Sequence, residues 1–226
     1  MGDGLAFETT AAPGVMTAVE GVRTDASFSV SAWVKLDAAA TTTAAARAAV
    51  SQDGANFAGF VLWYRPDNGG RWVFGMSRSG DTYKGTDMAS STSAQPGVWT
   101  HLTGVYDAGL NQLKLYVNGE LDELAGTADR AGAPWHAAGP FRVGQARWSG
   151  TSADGWVGAI DEVQLYDRPC RQRRSRRRSA RTTSISGIGR WMRRRAPPRA
   201  TPRRAARARS CRRARPSPPT RSAARS

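Results

Sequence analysis

The sequence predicts an all-β protein, an antiparallel sandwich of the jelly-roll kind, and three features carry that prediction. Residues 27–37 (SFSVSAWVKLD) alternate strictly, with Phe28, Val30, Ala32, Val34 and Leu36 on one face. Ser29, Ser31, Trp33 and Lys35 occupy the other, the pattern of a strand with one buried face. Residues 99–120 (WTHLTGVYDAGLNQLKLYVNGE) spell two strands and two turns. Asn118-Gly119 supplies the pair of left-handed residues that a two-residue type I′ turn requires. Finally, short β-branched and aromatic runs recur between turn residues along 168 residues without one convincing helical period.

In chain order, residues 5–8 and 14–22 read as short strands. The alanines of 38–49 would permit a helix, but the threonines and short length favour a loop entering a strand at 48–52. Residues 57–64 (FAGFVLWY) and 71–77 (RWVFGMS) predict paired strands joined by Arg65-Pro66-Asp67-Asn68-Gly69-Gly70. Residues 79–95 are small, polar and rich in turn formers, and are expected to cross a rim as a loop. After the central hairpin, a return strand at 120–124 is expected. A loop should follow at 127–140, a strand at 141–146, a loop at 147–155 and a closing strand at 156–166 (WVGAIDEVQLY).

Charge divides the chain. Up to Arg168 there are 12 Lys+Arg against 18 Asp+Glu, a net −6; the remaining 21 basic residues are all arginine, with no acid among them. Residues 1–168 suffice for one domain with a real core. They hold no cysteine and only His101 and His136, which argues against a disulfide framework or a zinc centre. No apolar run approaches membrane-spanning length. The opening MGDGLAFETT lacks the regions of a signal peptide.

Four pieces in this order, FSVSAWVKL, GVWTHLTGVYD, LKLYVNGEL and GWVGAIDEVQLYDRP, resemble the laminin-G-like jelly roll of the concanavalin A-like lectin/glucanase superfamily. The resemblance is to modules repeated in tandem in large secreted bacterial proteins, and it covers residues 5–169. It implies an extracellular, non-catalytic module that binds a carbohydrate or an extracellular protein. Trp33, Trp99, Tyr116 and Asp161-Glu162-Val163 stand at positions it implies to be structural.

Residues 169–226 are expected to be a disordered basic tail. They contain almost no large apolar residues beyond Ile185, Ile188, Trp191 and Met192. Modules of the resembled family continue with a segment close to Leu-Ser-Ala-Ala-Glu-Val-Ala. Permitted codons for residues 169–176, read one base over, yield that segment. Residues 187–194 (GIGRWMRR) read likewise as Gly-Asp-Trp-Ser-Leu-Asp-Glu, so the tail is expected to be out-of-frame translation. Cys170 and Cys211 both fall in it and carry no redox meaning. The alternative is an arm for nucleic acid, since 21 arginines would bind phosphates without sequence preference.

Candidate site residues are few. The superfamily includes glycoside hydrolases, whose E-x-D-x-x-E strand carries two catalytic glutamates by resemblance. The nearest match, Glu120-Leu121-Asp122-Glu123-Leu124-Ala125, ends in alanine, so no catalytic residue is assigned. Trp135 and Trp148 are the loop aromatics best suited to a sugar platform. Asp81, Asp87 and Asp154 are the loop acids that could hold the calcium ion which the resemblance implies.

Overall fold

A computed structural model describes residues 21–122 and 128–170, together with the backbone of Phe7–Thr9 and Val15–Met16. The basic tail beyond Cys170, with its reading-frame and nucleic-acid expectations, lies outside the described residues, as does Glu123.

Fifteen strands are described: β1 (Phe7–Thr9), β2 (Val15–Met16), β3 (Phe28–Leu36), β4 (Arg47–Asp53), β5 (Ala58–Arg65), β6 (Arg71–Met76), β7 (Thr86–Ser93), β8 (Thr100–Asp107), β9 (Gln112–Val117), β10 (Glu120–Leu121), β11 (Ala128–Asp129), β12 (Phe141–Val143), β13 (Ala146–Trp148), β14 (Thr151–Ala153) and β15 (Gly158–Tyr166). One sheet runs β1-β15-β3-β8-β9-β10, with β11 also paired to β9; the second runs β2-β12-β4-β5-β6-β7. The hairpin β13-β14 stands apart as a third, two-stranded sheet. Every pairing is antiparallel.

The alternation in residues 27–37 sets the core face as the sequence predicts, although Ser29 and Ser31 of the opposite face are buried too. Phe28, Val30, Ala32, Val34 and Leu36 are fully buried, and β3 lies between β15 and β8. Leu102 and Tyr106 of β8 and Leu113 and Leu115 of β9 join them from one sheet; Phe60, Leu62, Phe74 and Met76 of β5 and β6 come from the other. Phe28 meets Phe60 with ring centroids 4.9 Å apart. Trp156 stacks on Trp72 at 6.2 Å. The Asn118-Gly119 turn takes the left-handed conformation that its sequence requires, with φ of 53° and 82°.

Two segments expected to be loops are strands. Residues 86–93 form the edge strand β7, whose only large apolar side chain is Met88. Its inward face is otherwise small and polar: Ser90 is fully buried, and its hydroxyl accepts from Trp72 N and donates to Thr92 O. Residues 146–153 form β13-β14 around Ser149-Gly150, both left-handed with φ of 48° and 79°. The alanine segment becomes a single 3-10 turn, Ala38–Thr41, capped by the Asp37 carboxylate accepting from Ala39 N.

The sheets approach closely at Gly104, where an added Cβ would overlap the Phe74 ring. Gly104→Ala is therefore expected to destabilise the fold by about 1–3 kcal/mol, the usual cost of overpacking a core. Urea denaturation checks this, and an unchanged midpoint would contradict it.

Candidate functional site

Strand β5 is buried along both of its faces. Phe60, Leu62 and Tyr64 point into the main core, while Val61 and Trp63 point the other way. On that outer face they gather with Ala48, Ala58, Val73 and Ala146 into a second apolar cluster, joined by Tyr83, Ala89 and Trp148. The β13-β14 hairpin lies over this face and carries Trp148 with it.

Polar contacts seat the hairpin. Ala48 N donates to Asp154 O at 2.7 Å, Ser51 Oγ to Gln145 O at 2.8 Å and Gly150 N to Asn56 O at 2.9 Å. Beneath them, Arg142 binds both oxygens of the buried Asp53 carboxylate, with Nη2 2.7 Å from Oδ2. Arg142 Nη1 also donates to Ser152 Oγ on β14 at 3.0 Å, tying the ion pair to the hairpin.

Trp148 is half-buried. Its ring meets Tyr83 at 4.8 Å, Phe57 edge-on at 5.0 Å and Trp63 at 6.3 Å. Beside it opens a depression of about 240 Å³ lined by Ala44, Ala46, Trp63, Arg65, Asp67, Trp148, Ala153 and Asp154. The Arg65 guanidinium lies 4.5 Å over the Trp63 ring. It donates through two nitrogens to the Asp67 carboxylate and stands 3.6 Å from Asp87. Tyr83 Oη donates to Asp87 Oδ1.

Burial sets the titration of this cluster. It pushes the Tyr83 hydroxyl well above its ordinary range, with the Asp87 charge adding to the effect. Burial likewise raises Asp87, although the Tyr83 hydrogen bond and Arg65 pull it down. Asp154 is raised by burial too, against the pull of Arg65 and Arg47. By contrast, the hydrogen bond from Arg65 holds Asp67 below the usual carboxylate range.

Of the sequence candidates, Trp148 and Asp154 line the depression, and Asp87 lies one residue away behind Arg65. Trp135 lies elsewhere: its Nε1 donates to Ser77 O at 3.1 Å and its ring packs against Gly54. Asp81 sits in an exposed turn and accepts from Asn56 Nδ2 at 3.0 Å. Among the described residues, no three His, Cys, Asp or Glu side chains converge as a metal-binding group. Asp87 is engaged by Tyr83 and Arg65, and Asp81 by Asn56.

The sequence alone did not single out Arg65, Asp67, Trp63 or Tyr83 as site residues; Trp63 and Arg65 share the outward face of β5, and Tyr83 meets the Trp63 ring at 5.6 Å. On the opposite sheet, Trp33 and Trp99 stand on the outer face rather than in the core. Trp99 is 38% exposed beneath Lys35 Nζ, and Trp33 packs against His101 at 5.1 Å. No helix among the described residues is long and apolar enough to cross a membrane.

The raised Asp154 has a measurable consequence. A carboxyl lifted in the fold favours folding while protonated, below its unfolded pKa near 3.8, and this contribution is lost as pH rises through the folded value. Asp154→Asn should therefore be more stable than the parent at pH 7 and no more stable at pH 3. Urea midpoints at the two pH values check it; equal differences at both would refute it.

Comparisons place this geometry among known proteins. A comparison with curated proteins returns no match. Among solved structures, a native heptameric pentraxin of Limulus polyphemus aligns with a TM-score of 0.52 at 16% identity, over 74% of this chain and 76% of that one. The CBM40 domain of the Ruminococcus gnavus IT-sialidase, bound to α2,3-sialyllactose, aligns at 0.50 and 17%, over 74% and 94%. Domain 4 of a GH43 extracellular arabinanase from Geobacillus stearothermophilus, in complex with arabinotriose, aligns at 0.50 and 19%, over 76% and 79%. At these identities the likeness is one of fold. The laminin G model of the concanavalin A-like lectin/glucanases superfamily matches residues 9–173, and the chain belongs to that family.

Proposed function

We propose that this domain is a non-catalytic carbohydrate-binding module of a secreted multi-module protein, and that it binds through the outer face of the six-stranded sheet. The observation that carries the reading is the half-buried Trp148 ring, braced by Phe57, Trp63 and Tyr83 beside a depression holding Arg65, Asp67 and Asp154. Sugar rings present an apolar C–H face and a rim of hydroxyls. An immobilised aromatic beside charged hydrogen-bonding groups complements both. The sugar-bound arabinanase and sialidase domains support the reading.

A glycoside hydrolase needs two carboxylates flanking the scissile bond, about 5–5.5 Å apart for retention or about 6.5–9.5 Å for inversion. Here Asp67 is engaged by Arg65. The Glu120–Asp122 stretch lies at the far edge of the other sheet, where Asp122 Oδ2 accepts from Ser91 N and Oγ at 2.7 and 3.0 Å. These engagements favour binding over hydrolysis.

Trp148→Ala should weaken retention on a glycan array at least about tenfold, with Trp148→Phe recovering part of it, the loss expected when one stacked aromatic is removed. Chelation by EDTA should leave binding unchanged. Undiminished retention by a folded Trp148→Ala variant would sink the proposal.

A further inference from the structure

The depression also carries information about what kind of sugar it would take; the argument rests on the carbohydrate-binding reading. Of the buried donors that have no acceptor among the described residues, two concern this region. One is Trp63 Nε1, on a side chain only 2% exposed that lines the depression. The other is Arg47 Nε, on the strand beside β5, whose side chain does not line the depression. Arg47 spends its terminal nitrogens on Gly155 O at 3.2 Å and Thr43 Oγ1 at 3.0 Å, and its charge acts on Asp154. A buried N–H left without a partner is rare in folded proteins and asks for an acceptor from water or from a ligand.

Arg65 is matched by Asp67 and Asp87, and Arg47 stands in the field of Asp154. Two cations thus meet three carboxylates. No excess positive charge is available for an anion, and a ligand carboxylate entering here would face Asp67 and Asp154 in a partly buried setting where like charges repel strongly. Asp154 has no side-chain hydrogen bond among those described, and it holds a left-handed backbone with φ of 56°. Non-glycine residues keep that conformation only where their surroundings impose it. Its carboxylate is thus available to accept from a hydroxyl.

Size narrows the ligand further. Pockets for drug-sized molecules span roughly 300–1,000 Å³. The depression, at about 240 Å³, is smaller, and Ala44, Ala46 and Ala153 give it a low apolar wall. It suits one ring, not a buried oligosaccharide.

We infer that the depression selects a single uncharged sugar ring, stacked on Trp148, which donates a hydroxyl to Asp154 and brings an oxygen acceptor to Trp63 Nε1. Uronic and sialic acids are disfavoured by Asp67 and Asp154.

The test is calorimetry on the full chain at physiological salt. The neutral probes are arabinotriose, cellotriose, maltotriose and mannotriose; the acidic ones are α2,3-sialyllactose and trigalacturonic acid. The 21 tail arginines attract any anion, so only binding lost in Trp148→Ala counts. The expected result is Trp148-dependent binding of at least one neutral trisaccharide, at least tenfold tighter than either acidic probe. Asp154→Asn, its fold checked by near-ultraviolet circular dichroism, should reduce that affinity tenfold or more. Trp148-dependent binding led by an acidic probe overturns this inference while leaving the carbohydrate reading intact, as does an Asp154→Asn variant that binds normally. Failure of all six probes to bind through Trp148 counts against both.

Discussion

The organisation of the molecule depends on one constraint: β5 is apolar on both of its faces. In most antiparallel sandwiches each sheet turns one face to the core and the other to water. Trp63 and Val61 cannot meet water without a large cost in exposed apolar surface, so a cover is required. Tyr83, Phe57 and the β13-β14 hairpin provide it. Because the cover is a two-stranded ribbon rather than a third full sheet, it leaves an uneven border, and the depression lies along that border. The proposed binding face is thus a by-product of burying the second side of a central strand.

The buried polar groups show how such a cover is held in register. Gln52, fully buried on β4, accepts from Gly21 and Val22 N and donates to Val22 and Ala137 O, so every hydrogen-bonding position of its amide is used. Asp53, its neighbour, is matched by Arg142. A buried ion pair adds little net stability over an apolar substitute but penalises arrangements that separate it. With Arg142 also reaching Ser152, the pair fixes where the hairpin lands, and so where Trp148 and Asp154 stand.

Much of the fold was legible because its strands obey the period of two. Phe28 to Leu36 send alternate side chains into the apolar core, the Asn118-Gly119 turn forms as its chemistry dictates, and β5 and β6 pair across the turn that begins at Pro66. What escaped notice lacks the apolar signal on which such reading relies. Strand β7 is recruited by edge pairing with β6 and buries serine where valine would have announced a strand. In β13-β14 the informative pair was Ser149-Gly150, a two-residue turn whose flanks are too short to alternate visibly. The site followed the same division. Trp148 and Asp154 could be named as loop residues, but their meeting with Arg65 and Trp63 is a tertiary event. Trp135, equally plausible from composition, is fastened to Ser77 instead.

The pairing of β1 with β15 bears on how the domain would respond to tension. Phe7 lies opposite Ile160 and Thr9 opposite Gly158, so the chain enters β1 at the end of the sheet toward which β15 runs out. A pull applied through these two strands therefore loads their hydrogen bonds one after another, like a zip, instead of straining all of them together in shear. A module wired this way yields at its first rung under modest force. In a chain of such domains it would lengthen early and protect more firmly stitched neighbours from rupture.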